Sequence, residues 1–118
     1  MIVDLIERVF ATRNAAHLAH WAETSGFRHT VLGDFYEGVI TLLDGLVEAH
    51  QGAFDLVEVG ALAKQPKVAK IIDLLEEDLV WINKNRKALT QGLPALDNLL
   101  QDLEGLYLST LYKLRKLA

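Results

Sequence analysis

Apolar residues recur at helical spacing along most of the 118-residue chain. Residues at i, i+3, i+4 and i+7 line one face of an α-helix, and a segment with this pattern is expected to bury that face. Four segments show the pattern, at residues 2–23, 28–50, 66–89 and 94–118. None of them alternates apolar and polar positions as a half-buried strand does. The pattern therefore predicts an all-α protein.

Glycine and proline mark the ends of these segments. The first segment ends before Ser25 and Gly26, and the third ends before Gly92. Pro66 and Pro94 open the third and fourth segments. Proline is tolerated in the first turn of a helix, and glycine is favoured just past its end.

The connections between the segments predict how the helices are joined. The turns after the first and third segments are short, so each pair should form an antiparallel hairpin. The stretch 53–65 is long enough, at roughly 3.3 Å per residue, to cross a helix of about 23 residues. Its part FDLVEVGALA is apolar enough to lie on the bundle, with a short helix as one option. The sequence thus predicts a single domain, residues 1–118, folded as a ferritin-like four-helix bundle with one long crossover between two helical hairpins.

Three of the segments carry apolar stripes that should form the core. The stripe of the third segment consists of Val68, Ile71, Leu75, Leu79 and Ile82. That of the fourth consists of Leu96, Leu99, Leu103, Leu106, Leu114 and Leu117. The first segment has two apolar faces, one with Val3, Ile6, Phe10, His17 and Trp21, the other with Leu5, Val9, Ala16 and Ala19. A helix that is apolar on two sides is covered on two sides, either deep inside its own bundle or by a second subunit. We expect self-association.

Composition and charge narrow the class of protein. Hydrophobic residues make up 51% of the chain, cysteine is absent and the formal net charge is −4. The absence of cysteine excludes disulfide scaffolds and thiolate metal sites, and it favours a cytoplasmic protein. Charged residues interrupt the N-terminal apolar stretch, so no membrane span is expected there. A net acidic chain is a poor ligand for a phosphate backbone, which disfavours nucleic acid as a partner.

Candidate metal ligands are concentrated between residues 17 and 50, which include all four histidines. His17 and His20 share a helix face, and the hairpin should bring His20 close to His29. Asp44 and Glu48 are four residues apart and also share a face. Imidazole together with carboxylate is a ligand set for iron, manganese or zinc.

The spacing between the histidines and the carboxylates points to a site shared by two chains. His29 and Asp44 are separated by roughly 22 Å along a helix axis. Since metal–ligand bonds are about 2 Å long, one ion cannot bind both residues within one chain. A two-fold axis that packs two chains antiparallel would form two such sites. Alternatively, the two groups are unrelated, and Asp44 and Glu48 pair with Arg8 or Arg13 across the hairpin.

The same stretch resembles the ferroxidase region of the Dps-like miniferritins, a branch of the ferritin superfamily. That family has a His-Trp pair at the end of its first helix and a histidine at the start of the second, with an aspartate and a glutamate 15 and 19 residues further on. The matching residues here are His20, Trp21, His29, Asp44 and Glu48, and Tyr36 also fits the pattern.

The resemblance implies that His20, His29, Asp44 and Glu48 bind iron between two subunits related by a two-fold axis. Zinc and manganese are the alternative metals. The implied activity is oxidation of Fe(II) with detoxification of the oxidant, in a homo-oligomer that is at least a dimer. His17 is expected to support the site from behind or to add a ligand, and Trp21 to pack in the core.

This chain departs from the family pattern at one expected ligand, and its first helix is short for the family. The family has an aspartate four residues after the histidine, where this chain has Gly33; Asp34 follows one residue late and is a further candidate ligand. The chain also resembles small ferritin-like proteins of bacteriophages. The alternative function is therefore a non-catalytic helical interaction or structural protein, of phage derivation, that kept the bundle and lost the metal site.

Overall fold

The structure, a computed structural model, describes residues 1–62 and 70–118. It contains four α-helices: α1 (Ile2–Ala22), α2 (Gly26–Ala53), α3 (Ile71–Thr90) and α4 (Pro94–Tyr112). A π-helical turn, Lys113–Leu117, continues α4. No strand occurs within these two ranges, and the all-α prediction is confirmed.

The helices form two antiparallel hairpins that pack against each other. α1 packs on α2 and α3, while α4 packs on α2 and α3. Along the α2–α4 contact, Arg28 reaches Leu114 and Gly38 lies against Leu106, so these helices are antiparallel. The α1–α2, α1–α3 and α3–α4 pairs are antiparallel by the same kind of contact. It follows that α2 and α3 run parallel. The described helices thus form the four-helix bundle of two antiparallel hairpins that the sequence predicts.

The connection after α2 differs from the prediction in its described part. Residues 55–62 have no regular secondary structure, so the short helix considered for FDLVEVGALA is not formed there. Phe54 and Val57 pack against the core, whereas Leu56 is 81% exposed. The predicted helix start at Pro66 and the predicted core position Val68 lie outside the described residues.

Local sequence explains why the helices begin and end where they do. The Ser25 hydroxyl accepts a hydrogen bond from the backbone N–H of Arg28 and caps α2. At the end of α3, Gln91 and Gly92 adopt left-handed backbone conformations, with φ of 50° and 77°. Glycine favours this conformation because it has no Cβ. Pro94 then occupies the first turn of α4, where its missing N–H is not needed.

The core follows a stripe slightly different from the predicted one. In α4 the fully or almost fully buried residues are Leu96, Leu100, Leu103, Tyr107, Thr110 and Leu111. Leu99 and Leu106 flank this stripe and are half-buried, while Leu117 is 52% exposed. In α3, Leu79 is half-buried because the adjacent position, Asp78, faces the interior. Two polar side chains, those of Asp78 and Tyr107, therefore occupy core positions.

Helix α1 is apolar on two sides, and the second side is well covered at Ile6, which is 5% exposed, but less so further along the helix. Leu5, Val9 and Ala16 are completely buried. Phe10 on the other face is half-buried, and Trp21 is 67% exposed. The prediction that Trp21 packs in the core is wrong, because its indole is largely exposed and packs on His17.

Within residues 1–62 and 70–118, none of the helices combines the length and the apolar character that crossing a bilayer requires.

Candidate functional site

The histidine cluster lies where α1 turns into α2. Glu23 fixes this turn, because its carboxylate accepts hydrogen bonds from the backbone N–H groups of Thr24 and Ser25. The same carboxylate pairs with Arg28 at 3.2 Å. These contacts, the backbone bond from Ser25 foremost, lower the pKa of Glu23. Glu23 is thus a helix-end carboxylate that holds the hairpin together.

His20 and His29 interlock across the hairpin. The Nδ1 atom of His20 lies 2.6 Å from the carbonyl oxygen of His29, and Nδ1 of His29 lies 2.7 Å from the carbonyl oxygen of His20. A carbonyl oxygen can only accept, so each Nδ1 carries a proton and donates it. In the neutral imidazole, Nε2 then keeps its lone pair. Donation of the other ring N–H to a carbonyl is how proteins orient histidines that bind metal.

Gly33 makes room for this interlock. A Cβ at position 33 would lie 3.1 Å from Cε1 and 3.3 Å from Nδ1 of His20. A Cβ there would require the His20 ring to shift by a few tenths of an ångström. The residue that breaks the miniferritin pattern is therefore the one that lets the two histidines meet.

The cluster extends along the α1–α2 face as a set of stacked rings. The rings of His20 and His29 stack with centroids 3.6 Å apart, and those of His17 and Tyr36 stack at 4.0 Å. Trp21 packs on His17 at 4.4 Å, and the Arg13 guanidinium lies over Tyr36. His17 therefore belongs to the same cluster as His20, through rings rather than through hydrogen bonds.

The predicted carboxylate ligands are not part of this cluster in a single chain. Asp34, Asp44 and Glu48 lie exposed on the outer side of α2. Asp44 and Glu48 are four residues apart on that side, 15 and 19 residues beyond His29. Within the described ranges, no group of three or more histidine and carboxylate side chains is placed to hold a metal ion.

The expected partners of Asp44 and Glu48 are engaged elsewhere. Arg8 pairs with Asp78, and Arg13 donates a hydrogen bond to Asn14. The alternative prediction, that Asp44 or Glu48 pairs with Arg8 or Arg13 across the hairpin, is therefore wrong.

Ring geometry limits how His20 and His29 can act together. Their planes are nearly parallel, at 20°, and they are stacked. The Nε2 lone pairs lie in the ring planes, and two stacked, nearly parallel planes do not meet at an ion about 2 Å from each nitrogen. The two imidazoles as placed therefore cannot bind one common ion, although each can bind its own.

A second polar cluster, not predicted from the sequence, lies at the centre of the bundle. The side chain of Asp78 is only 5% exposed. One of its carboxylate oxygens accepts hydrogen bonds from the hydroxyls of Thr12 (2.5 Å) and Tyr107 (2.7 Å), and the other lies 3.3 Å from Arg8. Residues from α1, α3 and α4 thus converge on one carboxylate.

Burial dominates the electrostatics of this central cluster. Loss of hydration raises the pKa of Asp78, although hydrogen bonds from Thr12, Tyr107 and Arg8 act in the opposite direction. Burial also raises the pKa of Tyr107 well above its ordinary value, and the Asp78 carboxylate adds to that shift. The Tyr107 hydroxyl therefore keeps its proton and donates a hydrogen bond to Asp78.

The hydrophobic pattern contains an indication of this cluster, because two of its polar residues fall on apolar stripes. Asp78 falls between Leu75 and Ile82 on the buried stripe of α3, and Thr12 falls between Val9 and Ala16 on that of α1. A polar residue on an apolar stripe needs a buried partner. Hydrophobic spacing alone treats such positions as gaps, whereas each one marks a place where two helices share a hydrogen bond.

A family model described as "Family of unknown function (DUF5856)" matches residues 20–114. The matched range begins in the last turns of α1 and includes both interlocked histidines, Asp44, Glu48 and Asp78. No curated protein and no solved structure matches the chain. The resemblance to Dps-like miniferritins remains a prediction from the residues quoted above.

Proposed function

The chain belongs to this family of unknown function, and we propose that it is a metal-binding four-helix bundle whose sites form between two copies. The observation that carries the proposal is the reciprocal contact of His20 and His29. Each ring donates Nδ1–H to the other residue's carbonyl oxygen, so both Nε2 atoms retain lone pairs for a metal ion.

The carboxylate ligands in this proposal are Asp44 and Glu48 of the second copy. They lie on the outer side of α2, exposed and on one helix face. An antiparallel contact between two α2 helices would set the histidine end of each against the acidic end of the other. Asp34, one turn beyond His29, and His17 are additional donors near the histidine end.

Half-buried apolar side chains on the α1–α2 face support a second copy as the cover. They are Val3, Phe10, Tyr36, Ile40 and Val47. Phe10 and Ile40 pack against the core but remain partly exposed. Burial of such side chains contributes about 25 cal/mol per Å² of apolar area, which would favour association.

The chemistry of the donors favours a borderline metal ion. Neutral imidazole and ionised carboxylate suit iron, zinc and manganese. Because the His20 and His29 planes are nearly parallel, the proposal assigns a separate ion to each imidazole. With Fe(II) as the substrate, two ions would together give two electrons to one hydrogen peroxide, which would take up two protons and become two water molecules, and both ions would leave as Fe(III).

A complementation experiment tests the shared site directly. One chain carries His20→Ala and His29→Ala, and the other carries Asp44→Asn and Glu48→Gln. Neither variant alone should bind Zn²⁺ or Fe²⁺ above background in equilibrium dialysis with elemental analysis. In a mixed dimer, one of the two shared sites regains all its ligands, so each mixed dimer should hold about half of the wild-type metal content. Random exchange between equal amounts of the two variants makes about half of the dimers mixed, so the whole mixture should regain about a quarter.

Two results would contradict the proposal. Wild-type protein that sediments as a monomer at micromolar concentration, with and without metal, would remove the second copy. Metal binding that survives in the Asp44→Asn, Glu48→Gln chain would place the ligands within one hairpin.

A second candidate function is a helical interaction protein without chemistry, including a phage-derived one. Its support is the cluster of exposed apolar side chains at the hairpin end, where Leu18, Trp21 and Phe27 are 58%, 67% and 42% exposed. Large exposed apolar side chains are typical of contact surfaces. Unchanged Fe(II) autoxidation and no bound metal, in a protein that still self-associates, would favour this candidate.

A further inference from the structure

A cavity of about 310 Å³ opens between α1 and α3. This volume is at the lower end of the range for pockets that bind small molecules. The residues that give it chemical character are Asp4, Glu7, Arg8, Glu77, Asp78 and Trp81. None of them belongs to the histidine cluster, and the metal proposal uses none of them.

The innermost polar group of the cavity is the carboxylate of Asp78. Thr12 and Tyr107 hold one of its oxygens, which leaves the other directed to Arg8 at 3.3 Å. The side chain is 95% buried, since only 5% of it is exposed. Its position is thus fixed before any ligand arrives, and its charge acts in a poorly hydrated environment.

The indole of Trp81 forms an aromatic wall beside this carboxylate. The Arg8 guanidinium lies over the ring, 5.0 Å from its centroid. An indole face attracts cations more strongly than other aromatic side chains do. The cavity therefore already holds one guanidinium between an aromatic face and a buried carboxylate.

The charge of the lining favours further positive charge. Four carboxylates line the cavity against two positive groups, the Arg8 guanidinium and the N-terminal ammonium of Met1, which lies 3.6 Å from Asp4. Arg8 is 39% exposed, so its guanidinium is only partly confined. Asp4 is four residues before Arg8 on α1, at the spacing where a carboxylate can pair with it. Arg8 thus has an alternative partner outside the Asp78–Trp81 position.

We propose that the α1–α3 cavity binds a small organic cation with a guanidinium or primary ammonium group, and that Arg8 is an internal occupant which this ligand displaces. The ligand cation takes the position between Trp81 and Asp78, and Glu7 and Glu77 neutralise the rest of its charge. Arg8 moves to the rim and pairs with Asp4.

Agmatine, which carries one guanidinium and one ammonium group, is the probe for a titration followed by NMR. The readout is the indole N–H signal of Trp81 in the full-length protein. Trp21 serves as the internal reference, because it lies on α1 beyond the lining residues Met1–Thr12. We expect agmatine to shift the Trp81 signal with saturation and to leave that of Trp21 unchanged. Butylurea, a neutral compound of similar shape, should shift neither.

Arg8 variants test the displacement, because removal of an internal competitor should strengthen binding. Arg8→Ala and Arg8→Gln should lower the apparent Kd for agmatine by about tenfold, which corresponds to the loss of one competing cation–π and ionic contact. Arg13→Ala is the matched control, since Arg13 also lies on α1 but contacts Asn14 and Tyr36. It should leave the Kd unchanged. Trp81→Leu removes the NMR probe, so its binding is measured by isothermal titration calorimetry, which should detect no saturable binding of agmatine; far-UV circular dichroism tests its folding.

The opposite results would overturn the inference. No saturable shift of the Trp81 signal in the wild-type protein would show that the cavity does not take this cation. Equal shifts with butylurea would show that charge is not recognised. Weaker agmatine binding in a folded Arg8→Gln protein would show that Arg8 is part of the site rather than its occupant. Each of these results leaves the metal proposal unaffected.

Discussion

The two polar clusters of this molecule differ in depth and in the sequence distance that they bridge. The histidine cluster lies at the hairpin end, where His20 and His29 are nine residues apart and partly or largely exposed. The central cluster is buried, and the residues that meet at Asp78 come from three helices, with separations of 66 residues to Thr12 and 29 to Tyr107.

This difference indicates what each cluster contributes. The buried carboxylate constrains how α1, α3 and α4 pack, because the buried hydroxyls of Thr12 and Tyr107 would lose their acceptor if these helices moved apart. The histidines constrain only the turn between α1 and α2, and water can compete for their contacts. The central cluster is therefore expected to govern stability, and the histidine cluster to be free for binding.

The largest effect is expected from Asp78→Ala. The substitution leaves the hydroxyls of Thr12 and Tyr107 buried without their acceptor and creates a small void, which should lower the free energy of unfolding by about 3 kcal/mol. Urea unfolding followed by circular dichroism measures the loss. Asp102→Ala, at an exposed position of α4, is the control and should change stability by less than about 0.5 kcal/mol. Equal effects of the two variants would refute the contrast between the clusters.

The pH dependence of stability gives a second way to separate the clusters. The pKa of Asp78 is raised from its ordinary value of 3.8, chiefly by burial. The folded state then keeps this proton over a pH range in which the unfolded chain has lost it. Its stabilising contribution is thus fully present below the unfolded pKa and is lost as pH rises through the folded pKa.

Comparison of the wild type with Asp78→Asn isolates this contribution. As the pH falls from 7 towards 4, the wild type should gain stability relative to Asp78→Asn. Relative to Glu23→Gln, the wild type should instead lose stability as the pH falls, because the pKa of Glu23 is lowered. The stability that Glu23 contributes is present above its unfolded pKa and is lost as pH falls through the folded one. Urea unfolding at several pH values would detect both trends, and parallel curves for wild type and Asp78→Asn would contradict the first.

The fold was largely predictable because its determinants are local. Pro94, Gly92 and Ser25 mark helix ends by their own backbone chemistry, and apolar spacing reports a buried face wherever it occurs. The closeness of His20 and His29 also followed from a short turn. The central cluster was missed because Thr12 and Tyr107 lie far from Asp78 in the sequence, and the residues next to Asp78 do not indicate them as its partners.

The predictable part of the candidate site was its residue types, and the unpredictable part was their orientation. Sequence spacing places His20 beside His29, but it does not reveal that their planes are stacked or that Nδ1 is already engaged. The sequence offered Gly33 as a missing ligand and as a position that allows close helix approach, but it did not show that the His20 ring occupies that space. Orientation depends on contacts of a few tenths of an ångström, which residue spacing does not encode.

A pair of glycine substitutions measures the strength of the histidine interlock. Gly45→Ala meets no atom within 4 Å, so it should stabilise α2 by about 1 kcal/mol through helix propensity alone. Gly33→Ala gains the same propensity but displaces the His20 ring, which should cancel about 1 kcal/mol. The difference in unfolding free energy between the two variants thus reports the interlock. Equal stabilisation by both would mean that the ring moves aside without cost, which would remove the basis for an oriented Nε2.

The smallest effect is expected from the acidic pair of α2. Asp44 and Glu48 are like charges at i and i+4, a spacing that destabilises a helix by about 0.2–0.5 kcal/mol. Asp44→Asn with Glu48→Gln should therefore raise the stability of the metal-free protein slightly, and the gain should fade at high salt. With Zn²⁺ added, the order should reverse, because an ion that binds only the folded wild type adds stability that the variant cannot gain. Thermal unfolding with chelator and then with Zn²⁺ measures both signs. If the variant stayed the more stable protein in Zn²⁺, the acidic pair would be an unfavourable surface feature with no ligand role.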